Sequence, residues 1–352
     1  SHVQGYQLML RIQLVCLSNF EGGMEKHVAD LAAGLVKLGR VVSIICGKGF
    51  LPLMSQDIEI FEVPVSKARF DPLLSFQIWR IIHSFQPDIL HCHGGKASRI
   101  GGILPVPKQT LKVCTVHGLK RVSSSYRHFN LRIGVSQAIT NSLLLEGYNC
   151  TTIYNGLDTN VNVTYEGKTY RYKDNFPQQF TWIAVGRLVP VKGFDLAIKA
   201  LALTNHNLII VGEGSERTKL ENLVTQYHLE HRVWLLGHRN DVTKLYGEVD
   251  GTLITSEREG FSYVFLESML AGKPVVATDV PVANEILAGQ YICKDRSAET
   301  VAKVMKALAK SSVSSKIQED EMLFCQQELS LDTMVLKTAE AYQKTIEQFA
   351  NY

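Results

Sequence analysis

Short apolar runs alternate along the chain with longer stretches in which apolar positions recur every three to four residues. The short runs predict strands at 9–17, 41–46, 58–63, 89–92, 111–116, 133–136 and 152–154, and again at 181–185, 207–211, 232–236, 251–254, 274–277 and 291–293. The longer stretches predict helices. One covers 24–38, where Val28, Leu31, Ala32 and Leu35 fall on one face; others fall at 193–203, 215–227, 241–246, 262–270, 298–310 and 331–348. Strands and helices in alternation predict parallel sheets covered on both faces. Two such series predict an α/β protein of two doubly wound domains. The division is expected at residues 1–157 and 158–334, with 335–352 as a terminal helix. Residues 162–179 are polar, contain Pro177 and carry no period, as a linker would.

With 352 residues, 45% of them hydrophobic and 20% charged, the chain has the composition of a globular protein rather than a disordered one. It has no run of about eighteen apolar residues, which excludes a spanning helix. The first six residues do not read as a secretion signal, so a cytoplasmic protein is expected. Seven cysteines without a C-x-x-C pair read as small core residues in a reducing compartment.

Charge changes the picture only through its distribution. Through Gly156 there are 16 basic and 9 acidic residues, a balance of +7; the remainder carries 21 and 25, a balance of −4. An anionic partner of the first half is one reading, and an ordinary solvated basic face is the other. Lys67, Arg69, Arg80, Lys96, Arg99, Lys120, Arg121 and Arg127 supply the basic side chains. Arg69-Phe70 and Arg121-Val122 interleave cations with apolar groups, as contact with an anionic membrane surface requires. No aromatics alternate with the cations as stacking platforms for nucleic acid.

Open parallel sheets bind ligands beyond the carboxyl ends of their strands, so the residues that follow each strand matter most. After the first strand, Gly22-Gly23 leads into a helix, where a phosphate can meet free N–H groups; an ordinary tight turn reads the same way. After the strand at 181–185, Arg187 and Lys192 lie five residues apart across a Pro/Gly-shaped turn, suited to a diphosphate. After the strand at 251–254 comes Glu259-Gly260-Phe261-Ser262-Tyr263, with Glu267 two helical turns further on; two carboxylates so placed can hold sugar hydroxyls. His91 and His93 share one face of a strand, but no third metal ligand is evident, and His91 reads as a packing or hydrogen-bonding residue. His117, before Gly118, is a candidate for a cleft.

Taken together, these segments resemble family 4 of the glycosyltransferases, retaining enzymes of the GT-B fold. The first half contributes Glu21-Gly22-Gly23-Met24-Glu25-Lys26-His27, Pro87-Asp88-Ile89-Leu90-His91-Cys92-His93-Gly94, Thr115-Val116-His117-Gly118 and Asn155-Gly156-Leu157-Asp158. The second contributes Val185-Gly186-Arg187 with Lys192-Gly193, Val211-Gly212-Glu213-Gly214, Leu236-Gly237-His238 and the pair Glu259 and Glu267 spaced as E-x₇-E. The resemblance implies two Rossmann-like domains facing a cleft, the first receiving the acceptor and the second the nucleotide-sugar donor, with the terminal helix packing back toward the first.

Roles follow from the same resemblance. Gly22 and Gly23 would contact the donor's phosphate region, and Arg187 and Lys192 would bind its diphosphate. Glu267 would hold the ribose. Leu236 to Arg239 would flank the base. Glu259 and the N–H groups of Gly260, Phe261, Ser262 and Tyr263 would hold the donor sugar, with His117 beside it. Ser262 departs from the family's usual glycine, and Val280-Pro281-Val282-Ala283-Asn284-Glu285 lacks the common double glycine. No D-x-D triplet is present, so no metal bridge and no cofactor are expected beyond the donor, for which a UDP-sugar is favoured. Glu259 and His117 then act as positioning and electrostatic groups. The acceptor is expected to be a saccharide, free or lipid-linked, as in lipopolysaccharide or polysaccharide assembly. A nucleotide-sugar epimerase and a catalytically silent binding protein are the alternatives. A nicotinamide-dependent dehydrogenase is disfavoured by the missing G-x-G-x-x-G.

Overall fold

The computed structural model describes residues 9–19, 22–48, 57–65, 71–118, 123–158, 178–311 and 317–350. Glu21, Lys67, Arg69, Phe70, Lys120, Arg121, Val122 and most of the expected linker lie outside the described residues. The chain forms two units, residues 1–156 with 330–352 and residues 157–329. The expected divisions at 157/158 and 334/335 compare with 156/157 and 329/330 in the structure.

The first unit is built on seven parallel strands: β1 (Arg11–Cys16), β2 (Val41–Cys46), β3 (Glu59–Glu62), β4 (Ile89–His93), β5 (Leu111–Val116), β6 (Leu131–Gly134) and β7 (Cys150–Thr152). Their order is β3-β2-β1-β4-β5-β6-β7. The central strands are buried along most of their length, as parallel strands covered on both faces must be. Its helices are α1 (Gly23–Lys37), α2 (Pro72–Phe85), α3 (Gly94–Ile103), α4 (Gln137–Leu145) and α12 (Leu331–Ala350). The start of α2 is fixed by Asp71, whose carboxylate accepts the Leu74 N–H at 3.0 Å, and by Pro72 in the first turn. Helix α12 lies against α1, and Met334, Val335 and Tyr342 join the core made by Val28, Leu31, Leu35 and the central strands. Each such fully buried aliphatic side chain stabilises the fold by about 2 kcal/mol.

The second unit carries β8 (Thr181–Val185), β9 (Asn207–Val211), β10 (Val233–Leu235), β11 (Gly251–Ile254), β12 (Val275–Thr278) and β13 (Ile292–Cys293), again all parallel, in the order β10-β9-β8-β11-β12-β13. Helices α5 (Phe194–Ala202), α6 (Arg217–Gln226), α7 (Val242–Glu248), α8 (Tyr263–Leu270), α9 (Ala283–Ile286), α10 (Ala298–Ser311) and α11 (Glu319–Glu328) complete it. Trp182, Leu208, Leu253 and Val276 from the sheet pack with Ala197, Leu201, Met305 and Leu308 from α5 and α10.

Most strands begin and end within two residues of the expected bounds, but two are shifted as a whole by two residues toward the N-terminus. The strand expected at 133–136 is β6 at Leu131–Gly134, and the one at 152–154 is β7 at Cys150–Thr152. The cause is Arg132, a charged residue inside a buried strand. Its guanidinium donates to the Tyr126 carbonyl at 2.8 Å and stacks on Tyr148 at 4.8 Å, so the strand starts before the apolar run.

Candidate active site

In each sheet the strand order reverses beside its first strand, which opens a crevice at the carboxyl ends. In the second unit that point lies between β8 and β11. The turn after β8 reaches Lys192, and Gly193 caps the turn in the left-handed region at φ +63. A Cβ at Gly193 would sit 2.2 Å from the Thr255 carbonyl oxygen, so only glycine lets the two loops meet. Glu257 N–H donates to the Val191 carbonyl at 2.8 Å, and Thr255 Oγ1 to that of Lys192 at 3.3 Å. These backbone ties bring Lys192 Nζ to 2.6 Å from Glu259 Oε1. Ser256 Oγ donates to the same oxygen at 2.8 Å. Lys192, Glu259, Phe194, Thr255 and Ser256 line a small cavity there.

The neighbouring loops close around this point. Gly212 adopts φ +140, and a Cβ there would fall within 1.9 Å of the Gly186 carbonyl oxygen, so the turns after β8 and β9 touch backbone to backbone. Leu188 N–H donates to the Glu213 carbonyl at 2.8 Å, leaving Arg187 exposed beside it. Helix α8 starts at Tyr263 with Ser262 as its cap, the hydroxyl accepting the Phe265 N–H at 3.3 Å. Phe261 is buried and meets the Tyr263 ring edge-on at 5.4 Å, and Gly260 is half-buried. On the same helix Glu267 accepts the Tyr246 hydroxyl at 3.2 Å, and burial, then the carboxylate, pushes the Tyr246 phenol well above its ordinary pKa. Leu236 packs in the cluster of Ile183, Ile209 and Val211, and Arg239 forms a two-pronged pair with Asp241 at 2.8 Å on each prong.

In the first unit the reversal lies between β1 and β4. Gly22 caps α1 and Gly23 opens it, directly after β1. The rest of this crevice is histidine. His93 ends β4, His117 follows β5 and His27 lies on α1. Ring centroids are 5.4 Å apart for His27 and His93, 4.9 Å for His27 and His117, and 5.5 Å for His93 and His117. His93 Nδ1 is 3.2 Å from His117 Nε2. Behind them His91 is satisfied at both nitrogens, by Tyr342 Oη at 2.5 Å and Thr115 Oγ1 at 2.7 Å, and its ring lies tilted against that of His93 at 4.1 Å. Burial, and then the rings' mutual repulsion when charged, holds His91, His93 and His117 well below the usual imidazole pKa. Desolvation lowers His27 to about 4.

The structure therefore joins Lys192 with Glu259, sets Arg187 and Gly260 to Tyr263 on loops at that same strand-end face, and places Glu267 on the helix that follows. His117, Gly22 and Gly23 stand at the first unit's strand ends. The residues missed are His27, Tyr246 and Tyr342. His27 closes the Glu21–His27 motif and was visible in it, but 66 residues separate it from His93. Nothing in the spacing shows that the two rings meet.

The family model described as "Glycosyltransferase Family 4" matches residues 21–161, and that described as "Glycosyl transferases group 1" matches 168–321. An uncharacterized glycosyltransferase, MJ1607, of Methanocaldococcus jannaschii is 30% identical over 76% of this chain and 79% of its own length. The O-antigen biosynthesis glycosyltransferase WclY of Escherichia coli is 31% identical over 38% of each chain. Among solved structures, Anabaena Alr3699/HepE in complex with UDP superimposes with a TM-score of 0.81 at 24% identity, over 96% of this chain and 100% of that one. With two parallel-sheet units of this topology, a GT-B architecture and relatives of this closeness, the chain belongs to the family 4 glycosyltransferases and is a glycosyltransferase.

Proposed function

We propose that the enzyme transfers a sugar from a nucleoside-diphosphate donor, a UDP-sugar in the first instance, to a saccharide acceptor with retention at the anomeric carbon. The observation that carries this reading is the Lys192–Glu259 pair at the second unit's strand reversal, with Arg187 on the same turn. As the bond from the sugar to the diphosphate breaks, negative charge grows on the leaving phosphate. Lys192 and Arg187 are preset cations for that charge and need no metal bridge. Glu259 orients Lys192 and offers its second oxygen to the sugar's hydroxyls. Glu267, steadied by Tyr246, suits the ribose. The acceptor hydroxyl attacks from the leaving-group face, so no enzyme nucleophile is required, and His117 serves as a neutral positioning group.

The HepE complex with UDP and the O-antigen assignment of WclY support a uridine donor and an envelope saccharide acceptor. An acceptor held at an anionic membrane fits α2, where Leu73 and Phe76 are exposed and Arg80 follows at helical spacing on the same face. The test is a thermal-shift screen over UDP, GDP, ADP and their sugars, followed by anomeric analysis of the product by NMR. A rise in Tm with UDP, and an α product from an α donor in the presence of chelator, are expected. No shift with any nucleoside diphosphate, or an inverted product, overturns the reading.

A further inference from the structure

We propose that Ser256 is a positioning residue for sugar transfer: it keeps Glu259 aimed at the donor sugar while Lys192 turns to the diphosphate. This rests on the reading of Lys192 and Glu259 given above. Two hydrogen bonds end on one oxygen of Glu259. Lys192 Nζ lies 2.6 Å from Oε1, and Ser256 Oγ donates to the same atom at 2.8 Å. The carboxylate is thereby turned so that Oε2 carries neither of them. The Glu259 side chain is 11% exposed and Ser256 only 3%, so the serine hydroxyl bonds to Oε1 from the protein side.

The serine is itself held from three sides. Its carbonyl accepts the hydroxyl of Thr278, the buried last residue of β12, at 2.6 Å. On one flank Thr255 Oγ1 donates to the Lys192 carbonyl at 3.3 Å, and on the other Glu257 N–H donates to that of Val191 at 2.8 Å. The backbone of residues 255–257 is thus tied to the turn that carries Lys192 and to the neighbouring strand. One staggered torsion separates that fixed backbone from the hydroxyl oxygen, so the position of Ser256 Oγ follows from the fold.

Lysine alone cannot hold Glu259 in place through the reaction. Its ammonium is a point charge on a flexible four-carbon stem, and it is shared between Glu259 and the diphosphate. A bound diphosphate draws Nζ toward itself. A carboxylate held only by that lysine would follow it and carry like charge toward the leaving group. Ser256 is neutral, so the diphosphate does not draw it, and its bond to Oε1 persists. Oε2 then stays fixed as an acceptor for a sugar hydroxyl. An acceptor aimed in this way favours a donor that offers the hydroxyl and rejects one that lacks it, because the oxygen is otherwise left unpaired.

Kinetics of Ser256→Ala and Ser256→Thr test this. The probes are whichever of UDP-glucose, UDP-galactose and their N-acetylated forms the wild type uses best, and the monodeoxy analogues of that sugar. Ser256→Ala should lower kcat about tenfold or more, the effect of one hydrogen bond to a charged group. Its Tm, and the rise in Tm given by UDP, should match the wild type. The rate penalty for at least one deoxy analogue should shrink about tenfold in Ser256→Ala, and Ser256→Thr, which keeps the hydroxyl, should restore both values. A packing role would lower Tm and leave the deoxy penalty alone. Thr278→Val removes the support one step behind and should act in the same direction, more weakly; should Ser256→Ala fail to fold, it decides alone. Unchanged kcat in Ser256→Ala, or a loss with the deoxy penalty intact, overturns the proposal even where Lys192→Ala abolishes turnover. If Lys192→Ala also keeps wild-type turnover, the reading of the site fails and this inference falls with it.

Discussion

The two strand reversals use one backbone device for opposite electrostatics. In each sheet the loop after the first strand faces the loop after the fourth. In the second unit those loops carry Lys192 and Glu259 as an ion pair, with Arg187 exposed nearby. In the first, His27 on α1 and His93 at the end of β4 stand at that place, joined by His117, all held neutral by burial. The charged crevice keeps its ions because its side chains retain access to water and one another. The histidine crevice is largely buried, and it could not hold several cations so close together. The fold thus supplies two equivalent positions, and the local solvent exposure decides what each can bind.

The sharpest break of this contrast is Lys192→Ala. Removing a cation preset for the leaving group should cut turnover on the order of a hundredfold or more. Thermal stability should move little, because the pair is partly solvated. Steady-state kinetics with the responsive donor and a melting curve check both halves. Near wild-type turnover would leave the ionic crevice without its role.

Next in size is Gly193→Ala. The new Cβ meets the Thr255 carbonyl in a left-handed backbone, so a loss of about 2 kcal/mol or more is expected from strain alone. Urea unfolding measures it. The Lys192–Glu259 pair should be displaced as well, so donor affinity should fall with stability. An alanine variant as stable as wild type would show that the loops need not touch.

The mildest test is acid. Above about pH 6.5 the buried imidazoles are neutral in both folded and unfolded chains, and they contribute no pH dependence. As pH falls from there toward about 4, the folded value for His27, the unfolded chain takes up protons that the folded one resists. Stability therefore declines through that window. The first unit, with four such rings, should loosen before the second, where only His206 is similarly lowered by burial among the described residues. Hydrogen exchange resolved by peptide, at stepped pH, would show it. Equal loosening of both units would erase the distinction.

Much of this was legible in the chain itself. Strands β2, β5, β8, β9 and β11 follow their apolar runs residue for residue. They are flanked by glycines or polar turns, and the one charged residue among them, Lys112, stands at the second position of β5. Helix α11 was not legible. Among its residues only Cys325 is buried, so it has no apolar stripe to read. Strand β6 was displaced by a buried Arg132. At the site, Lys192 and Glu259 were visible as types at strand ends, but their contact was not. It depends on a glycine that admits a carbonyl oxygen, a matter of three-dimensional clearance. The histidine crevice was half visible for the same reason. Two of its rings follow strands, whereas the third comes from a helix far away in the sequence. Ser262 departs from the family's usual glycine, and its hydroxyl caps α8.

The return of α12 to the first unit has a consequence for synthesis. Residues 157–329 are made between the two pieces of that unit. At roughly 5–20 residues per second the ribosome spends about 9–35 seconds on them. Throughout that interval α1 has no Met334 or Val335 to cover it, and His91 has no Tyr342 hydroxyl. The second unit, contiguous in sequence, can close while the first still waits for its last helix. The first unit's core is therefore completed last, although most of its residues leave the ribosome first.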